Sequence, residues 1–393
     1  MNNQSLLLGE CAPLGPAVAP TITSSARLVI PYWPSDPMLG SVRWPAEVEL
    51  LMPGRWAPPV GEGVRYAGQT YLEQARAVPG TVDALAVAAV RTPEGWRLPR
   101  TYGTTGAVGA HGVDHLLVVE ADDEVVLPGA PLLVADRVTV LGPAPARVEG
   151  PGAPARIDDS VDRVGARVAA LVPAGSWVEL GIGVLPSAVL RHLQPGAVEG
   201  FLCGMVGDEV LELADSWWEA GHHRPVHAAM VDASPARITR AAGRGQLRLL
   251  PPEESHGPRA EPPLVAVNAA LSVDLTGAVN TERVGGRRVS GRGGHPDFTR
   301  RAHLSPGGVS VVVLRARARD GQPCVVPTLG PDERSTAAAD VDVIVTEHGI
   351  ADLRGLDPAE RAAAIVEVAH PDDRAALRSA AAAALAAHPA PSG

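Results

Sequence analysis

The chain has 393 residues, 46% of them apolar and 20% charged, so it is globular rather than disordered and long enough for two domains. A net charge of −10 argues against a general nucleic-acid binder, which needs a basic surface to neutralise phosphate. All 34 basic residues are arginine, which excludes a Schiff-base lysine, a PLP anchor and a phosphate loop built on lysine.

The opening MNNQSLLLGECAPLGPAVAP carries a short apolar patch with no basic region before it, so it does not read as a signal peptide. No apolar run reaches the ~18 residues of a membrane span, and a cytoplasmic location is expected. Cys11, Cys203 and Cys324 are scattered and form neither a zinc spacing nor a disulfide framework. The runs ARLVI, VDALAVAAV, DHLLVVEA, DRVTVLG, SWVELGIG, GVSVVVL and VDVIVTE are short and rich in Val, Leu and Ile. Such runs suit strands buried on both faces of a parallel sheet. IDDSVDRVGARVAALV and LDPAERAAAIVEVAH read as helices between strands, and DDRAALRSAAAAALAAH as a C-terminal helix. The alternation predicts an α/β chain. The stretch ADSWWEAGHHRP (214–225) suggests a boundary between domains 1–219 and 220–393, and the proline-rich segments 55–63 and 142–154 read as surface loops.

Six stretches invite a chemical reading. In WVELGIGVLPSAVLRHL a strand ends at Leu180, Gly181-Ile182-Gly183 turns, and Pro186 and Ser187 start a helix. Glycines let backbone amides approach a ligand and a helix N-terminus favours anions, so this is either a phosphate or pantetheine cradle or a plain βα turn. GFLCGMVGDEVLEL (200–213) reads as a strand edge turning into a helix start, with Asp208, Glu209 and Glu212 beyond its glycines. The histidines of AGHHRPVH lack an acidic or cysteine partner at metal spacing and read as an exposed linker rather than a metal site. VNAALSVDLTGAVNTE suits a strand (265–275) and a Thr276-Gly277 hairpin, with Asn268 and Asn280 as neutral donors for an oxyanion or as ordinary turn residues. SGRGGHPDFTRRAHLSPGG reads as a basic loop in which Arg292, Arg300 and Arg301 either pair with phosphates or are solvated. In VIVTEHGIADLRG, Glu347 and His348 form an acid/base pair or a helix-capping pair at a strand's carboxyl end.

In this order the stretches resemble the acetyl-CoA hydrolase/transferase family, and within it butyryl-CoA and 4-hydroxybutyrate CoA-transferases. ELGIGVLPSAVL looks like the family's glycine turn. VNAALSVDLTGAVNTE looks like its N-[ST]-A-L-E-V-D-x-x-G-x-x-N segment with Ser272 for Glu, and SGRGGHPDFTRR like its G-x-G-G-Q-x-D-F-x-R loop with His295 for Gln. VVPTLGPDERSTAAADVDVIVTEHGIADLRG and AHPDDR look like its C-terminal signature. The likeness is strong from about residue 161 to 377, weaker from 82 to 143, and leaves the first 45 residues unplaced.

The resemblance implies two related open α/β domains of the CoA-transferase (NagB/RpiA-like) type with the active site in an interdomain cleft. It implies coenzyme A or acyl-CoA as substrate, a carboxylate acceptor, no metal, PLP or nucleotide cofactor, no membrane partner, and room for a homo-oligomer. Gly181, Ile182, Gly183, Val184 and Leu185 would hold the CoA arm, with Ala270 and Gly293 along its path. Asn268 and Gly294 would stabilise the oxyanion, and Glu347 would organise the cleft. Family members use a glutamate as covalent nucleophile. GFLCGMVGDEVLEL looks like its G-[IL]-H-[ST]-E-M-x-x-D-G segment, and the glutamate falls on Gly204, with Leu202 for His, Cys203 for Ser/Thr and Glu209 for Gly. A glycine cannot form the acyl anhydride. Cys203, Asp208 and Glu209 are the replacement nucleophiles within reach in sequence, although neighbours in an extended strand point to opposite faces. The expected activity is therefore CoA transfer between carboxylates, or acyl-CoA hydrolysis by direct attack of water. The alternative is a degenerate relative that binds acyl-CoA or scaffolds a partner.

Overall fold

A computed structural model describes residues 4–10, 14–31, 42–43, 45, 47–51, 64–121, 124–145, 157–259 and 263–387. The chain forms two units: residues 1–152, 202–257 and 289–294 make unit 1, and 153–201, 258–288 and 295–393 make unit 2. No single boundary near residue 219 separates them. The stretch 214–225 runs through the end of a helix and up to the next strand, both inside unit 1.

Unit 1 begins with β1 (Ser5–Leu8), α1 (Ala19–Ser24), β2 (Arg27–Ile30), β3 (Glu47–Leu50) and β4 (Val64–Tyr66). It continues with α2 (Tyr71–Ala77), β5 (Ala84–Thr92), β6 (Gly95–Arg97), α3 (Gly103–His111), β7 (Val113–Glu120) and β8 (Ala135–Pro143). The chain then supplies unit 2 with α4 (Asp159–Ala169), β9 (Ser176–Leu180), α5 (Val184–Leu190) and the first residues of β10 (Val198–Gly207). The rest of β10, α6 (Asp208–Glu219), β11 (Val226–Asp232), α7 (Pro235–Gly243), β12 (Leu247–Leu249) and α8 (Pro252–Ser255) belong to unit 1. Unit 2 resumes with β13 (Leu264–Ala269), β14 (Ser272–Asp274), β15 (Val279–Asn280), β16 (Arg283–Val284) and β17 (Arg287–Arg288). It closes with α9 (His295–Leu304), β18 (Val309–Val313), β19 (Val325–Val326), β20 (Val343–Thr346), β21 (Gly349–Asp352), α10 (Pro358–Val368) and α11 (Arg374–Ala387).

In unit 1 the parallel order is β4-β3-β2-β1-β5-β7-β8, with β6 antiparallel to β5. The expected two-sided burial is visible residue by residue. Leu6, Leu8, Leu28 and Ile30 face one apolar cluster with Ile22 of α1, while Leu7 and Val29 face the other with Val108 of α3. The proline-rich segment 55–63 and residues 146–154 lie outside the described residues.

In unit 2 the order is β10-β9-β13-β18-β20-β21, parallel except for the antiparallel edge strand β21. One face is sealed by Val312, Leu314 and Ile344 packing on Ile365 and Val366 of α10, and α9 packs against β13 and β18. Strand order reverses between β9 and β13, the place in an open α/β sheet where ligands collect beyond the strand ends. The run expected as one strand over 265–275 is two, because the chain leaves β13 after Ala269 and enters the separate β15-β14-β19 sheet. Its hairpin turns at Gly277, whose φ of +91° favours glycine. Among the described residues no helix is long and apolar enough to cross a membrane.

Helix α4 starts on Asp158, whose carboxylate accepts the backbone N–H groups of Ser160 and Val161. It crosses α5 at Gly165, where an added methyl group would lie 2.5 Å from the carbonyl oxygen of Ala188. Gly165→Ala would raise helix propensity by about 1 kcal/mol at an open site. Here the backbone contact wins, and thermal melts are expected to show a loss of ~1–3 kcal/mol; a gain in stability would contradict the close crossing.

Candidate functional site

The point where unit 2 reverses its strand order is built by two strand ends and one turn. Glu179 stands one residue before the end of β9 and Asn268 one before the end of β13. Glu179 pairs in register with Ala266, so Asn268, two residues on, shares its face of the sheet. Asn268 Nδ2 donates to Glu179 Oε2 at 2.6 Å, and both side chains are buried. Burial pushes the Glu179 carboxyl up to about 8, with the Asn268 hydrogen bond opposing it.

After Leu180 the chain turns through Gly181, whose N–H donates to the carbonyl of Val267. A methyl group at Gly181 would lie 2.7 Å from Asn268 Oδ1, so the turn passes directly beneath the carboxamide. Gly183, with φ +127°, precedes α5. Between the glycines Ile182 is 63% exposed, an apolar side chain held out on the turn. Gly181 and Asn268 thus come together, and Leu185 is buried beneath the turn as a core residue. Helix α5 has seven residues, too short for its dipole to dominate an anion. Ala270 follows β13, donates its N–H to the carbonyl of Val313 and packs on the unit 2 core.

Gly204 is a part-exposed residue of β10 in unit 1, and Cys203 beside it is fully buried. Asp208 opens α6 and accepts from the Ser234 N–H (2.9 Å) and Oγ (2.8 Å), which ties α6 to the start of α7. Glu209 is exposed. Gly293, at φ +57°, gives its carbonyl to the Tyr71 N–H at 2.9 Å, and Gly294 follows at the edge of the same unit.

Other candidates have structural uses. Both Asn280 Nδ2 hydrogens are engaged, by Ser272 Oγ and the Arg283 carbonyl, and its Oδ1 accepts from Glu282 and Arg283 N–H. No donor remains for an oxyanion. The expected basic loop is helix α9 from His295 onward, because Pro296 and Asp297 form a good first turn. Arg301 is buried and shifted down to about 10 by that burial, while Arg300 is exposed and 3.9 Å from Asp340. Glu347 and His348 occupy the tight turn between β20 and β21. Glu347 accepts from the Ala316 N–H at 3.0 Å and caps no helix. His223 stacks on Trp218 at 4.1 Å, and among the described residues no three His, Cys, Asp or Glu side chains gather as a metal site. Glu179 was not singled out from sequence; its signal was a charge inside an apolar strand.

Residues 254–381 match the family model of the acetyl-CoA hydrolase/transferase C-terminal domain. The chain is 30% identical over 241 residues to 4-hydroxybutyrate coenzyme A transferase of Clostridium kluyveri, covering 57% of this chain and 54% of that protein. It is 37% identical over 116 residues to acetyl-CoA hydrolase of Schizosaccharomyces pombe, covering 29% of this chain and 22% of that one. The chain spans about half the length of the first of these relatives and less of the second. Its fold is that of 4-hydroxybutyrate CoA-transferase from Porphyromonas gingivalis, with a TM-score of 0.69 at 20% identity over 96% of this chain and 92% of that one.

The raised Glu179 pKa has a definite sign. Between about 4.5 and 8 the folded state keeps a proton that the unfolded chain has lost, so this group's contribution to stability is full below 4.5 and is lost as pH rises to 8. Glu179→Gln is neutral throughout and keeps an acceptor for Asn268. Its melting temperature relative to the parent is expected to climb from pH 5 to pH 8; parallel curves would place the Glu179 carboxyl in its ordinary range.

Proposed function

We propose that the chain binds an acyl-CoA thioester and hydrolyses it by direct attack of water, with no glutamyl intermediate. The observation that carries this reading is the glycine turn held beneath Asn268 at the strand-order reversal of unit 2. The similarity to CoA-transferases and acetyl-CoA hydrolases supports the substrate class. Gly204, on which the family's glutamate falls by resemblance, favours water over a covalent carboxylate.

In this mechanism Gly181 to Gly183 lie along the pantetheine arm, with Ile182 offering apolar contact. The Asn268 Nδ2 hydrogen not given to Glu179 faces the thioester oxygen. Water adds to the carbonyl carbon and releases a proton to the surrounding water, and the negative charge on oxygen is held by hydrogen bonds. The C–S bond breaks as the carbonyl re-forms, the CoA thiolate taking a proton from water to leave CoA and a carboxylic acid. Binding of the arm, remote from the reacting carbon, orients the thioester for attack.

The test is the full chain incubated with acetyl-, butyryl-, succinyl- and 4-hydroxybutyryl-CoA, following free CoA and intact mass together. CoA release with no adduct is expected. An adduct on Cys203, Asp208 or Glu209 would overturn direct attack. Bound CoA with neither release nor adduct would support a binding protein that has given up the reaction.

Two variants sharpen the reading. Gly204→Glu returns a carboxylate to the nucleophile position and is expected to gain CoA transfer to acetate, with a CoA-mass adduct on residue 204. Gly181→Ala pushes Asn268 off its bond and is expected to lower kcat by ~10²-fold with a smaller change in KM.

A further inference from the structure

His295 is the first residue of α9 and follows Gly293 and Gly294. It is 7% exposed. Its Nδ1 lies 2.9 Å from Thr336 Oγ1 and 3.4 Å from Thr299 Oγ1, one turn along the helix, and both threonines are buried. Nε2 is buried and has no hydrogen-bond partner among the described residues. A buried ring nitrogen without a partner is costly, and a ligand that completes the bond removes the cost. Burial shifts His295 down to about 4, so its ring is neutral near pH 7. In a neutral imidazole one nitrogen donates and the other accepts. A Thr336 hydroxyl that donates to Nδ1 places the proton on Nε2, which is the form that polarises a carbonyl without surrendering a proton.

We propose that His295 donates a hydrogen bond through Nε2–H to the thioester carbonyl oxygen of bound acyl-CoA, with Thr336 fixing the tautomer. This rests on the acyl-CoA reading above. No proton is transferred. The bond strengthens as charge builds on the oxygen during water attack and weakens when the C–S bond breaks.

The probe is 2-oxopentyl-CoA, a ketone analogue of butyryl-CoA with a methylene between sulfur and the carbonyl, which keeps the carbonyl oxygen and cannot be hydrolysed, added to the full chain labelled with ¹⁵N at histidine. The free protein is expected to show His295 as the Nε2–H tautomer, with the Nε2–H proton moving downfield as the analogue saturates. His295→Gln is expected to keep kcat within about tenfold of the parent, and His295→Leu to lose ~10²–10³-fold with little change in analogue affinity. A Nδ1–H tautomer, an unmoved resonance at saturation, or an unchanged kcat in His295→Leu overturns the assignment alone. If the analogue does not bind at millimolar concentration, the acyl-CoA reading falls and this role with it. Should His295→Leu not fold, the spectra of the parent chain decide.

Discussion

The hydrogen bond from Asn268 to Glu179 is the constraint on which the candidate site turns. It joins the two strands between which the unit 2 sheet changes direction, at the end where side chains leave the core. A carboxyl group buried there is tolerable only when neutral or well partnered, and its raised pKa says that neutrality is the solution. Because Asn268 leans over the next turn, that turn must be glycine at Gly181. One buried polar pair thereby restricts which residue the backbone can carry where it leaves β9.

A second pattern runs through both units. Several side chains with evident chemical capacity are consumed in holding the fold. Asn280 spends every donor on its own hairpin, Asp208 ties two helices, and Arg301 is buried in a helix that a reading of charge alone takes for a loop. Cys203 is a fully buried strand residue. Burial disfavours the charged form of both the Glu179 carboxyl and the His295 imidazole. Neutral donors are suited to holding developing charge on a carbonyl oxygen, which is what the proposed hydrolysis requires.

The α/β class was legible in the sequence because parallel strands buried on both faces are continuous Val, Leu and Ile runs. The seven runs picked out by composition are all strands, and three Ala- and Arg-rich segments are helices. The glycine turn after Leu180, the hairpin at Gly277 and the helix start at Asp208 followed from the conformational freedom of glycine and the preference for acidic residues in a first turn. Harder to see were β1, which is three leucines and a serine, and β3, where charges alternate with apolar residues. Both depend on neighbouring strands for their place in the sheet.

What tertiary structure alone decided is which residues meet. Glu179 and Asn268 are 89 positions apart, and His295 and Thr336 are 41 apart. No local pattern links either pair: the first depends on the register of β9 against β13, and the second on where α9 packs against the segment that precedes β20. The division into two units was hidden for the same reason: each is stitched from segments distant in sequence, and composition changes little where the chain passes between them. The sequence by itself determined the α/β class and the position of the most apolar strands. The fold determined that a buried carboxyl and an orphaned imidazole nitrogen are the features left to explain, since desolvation exists only once the chain has closed around them.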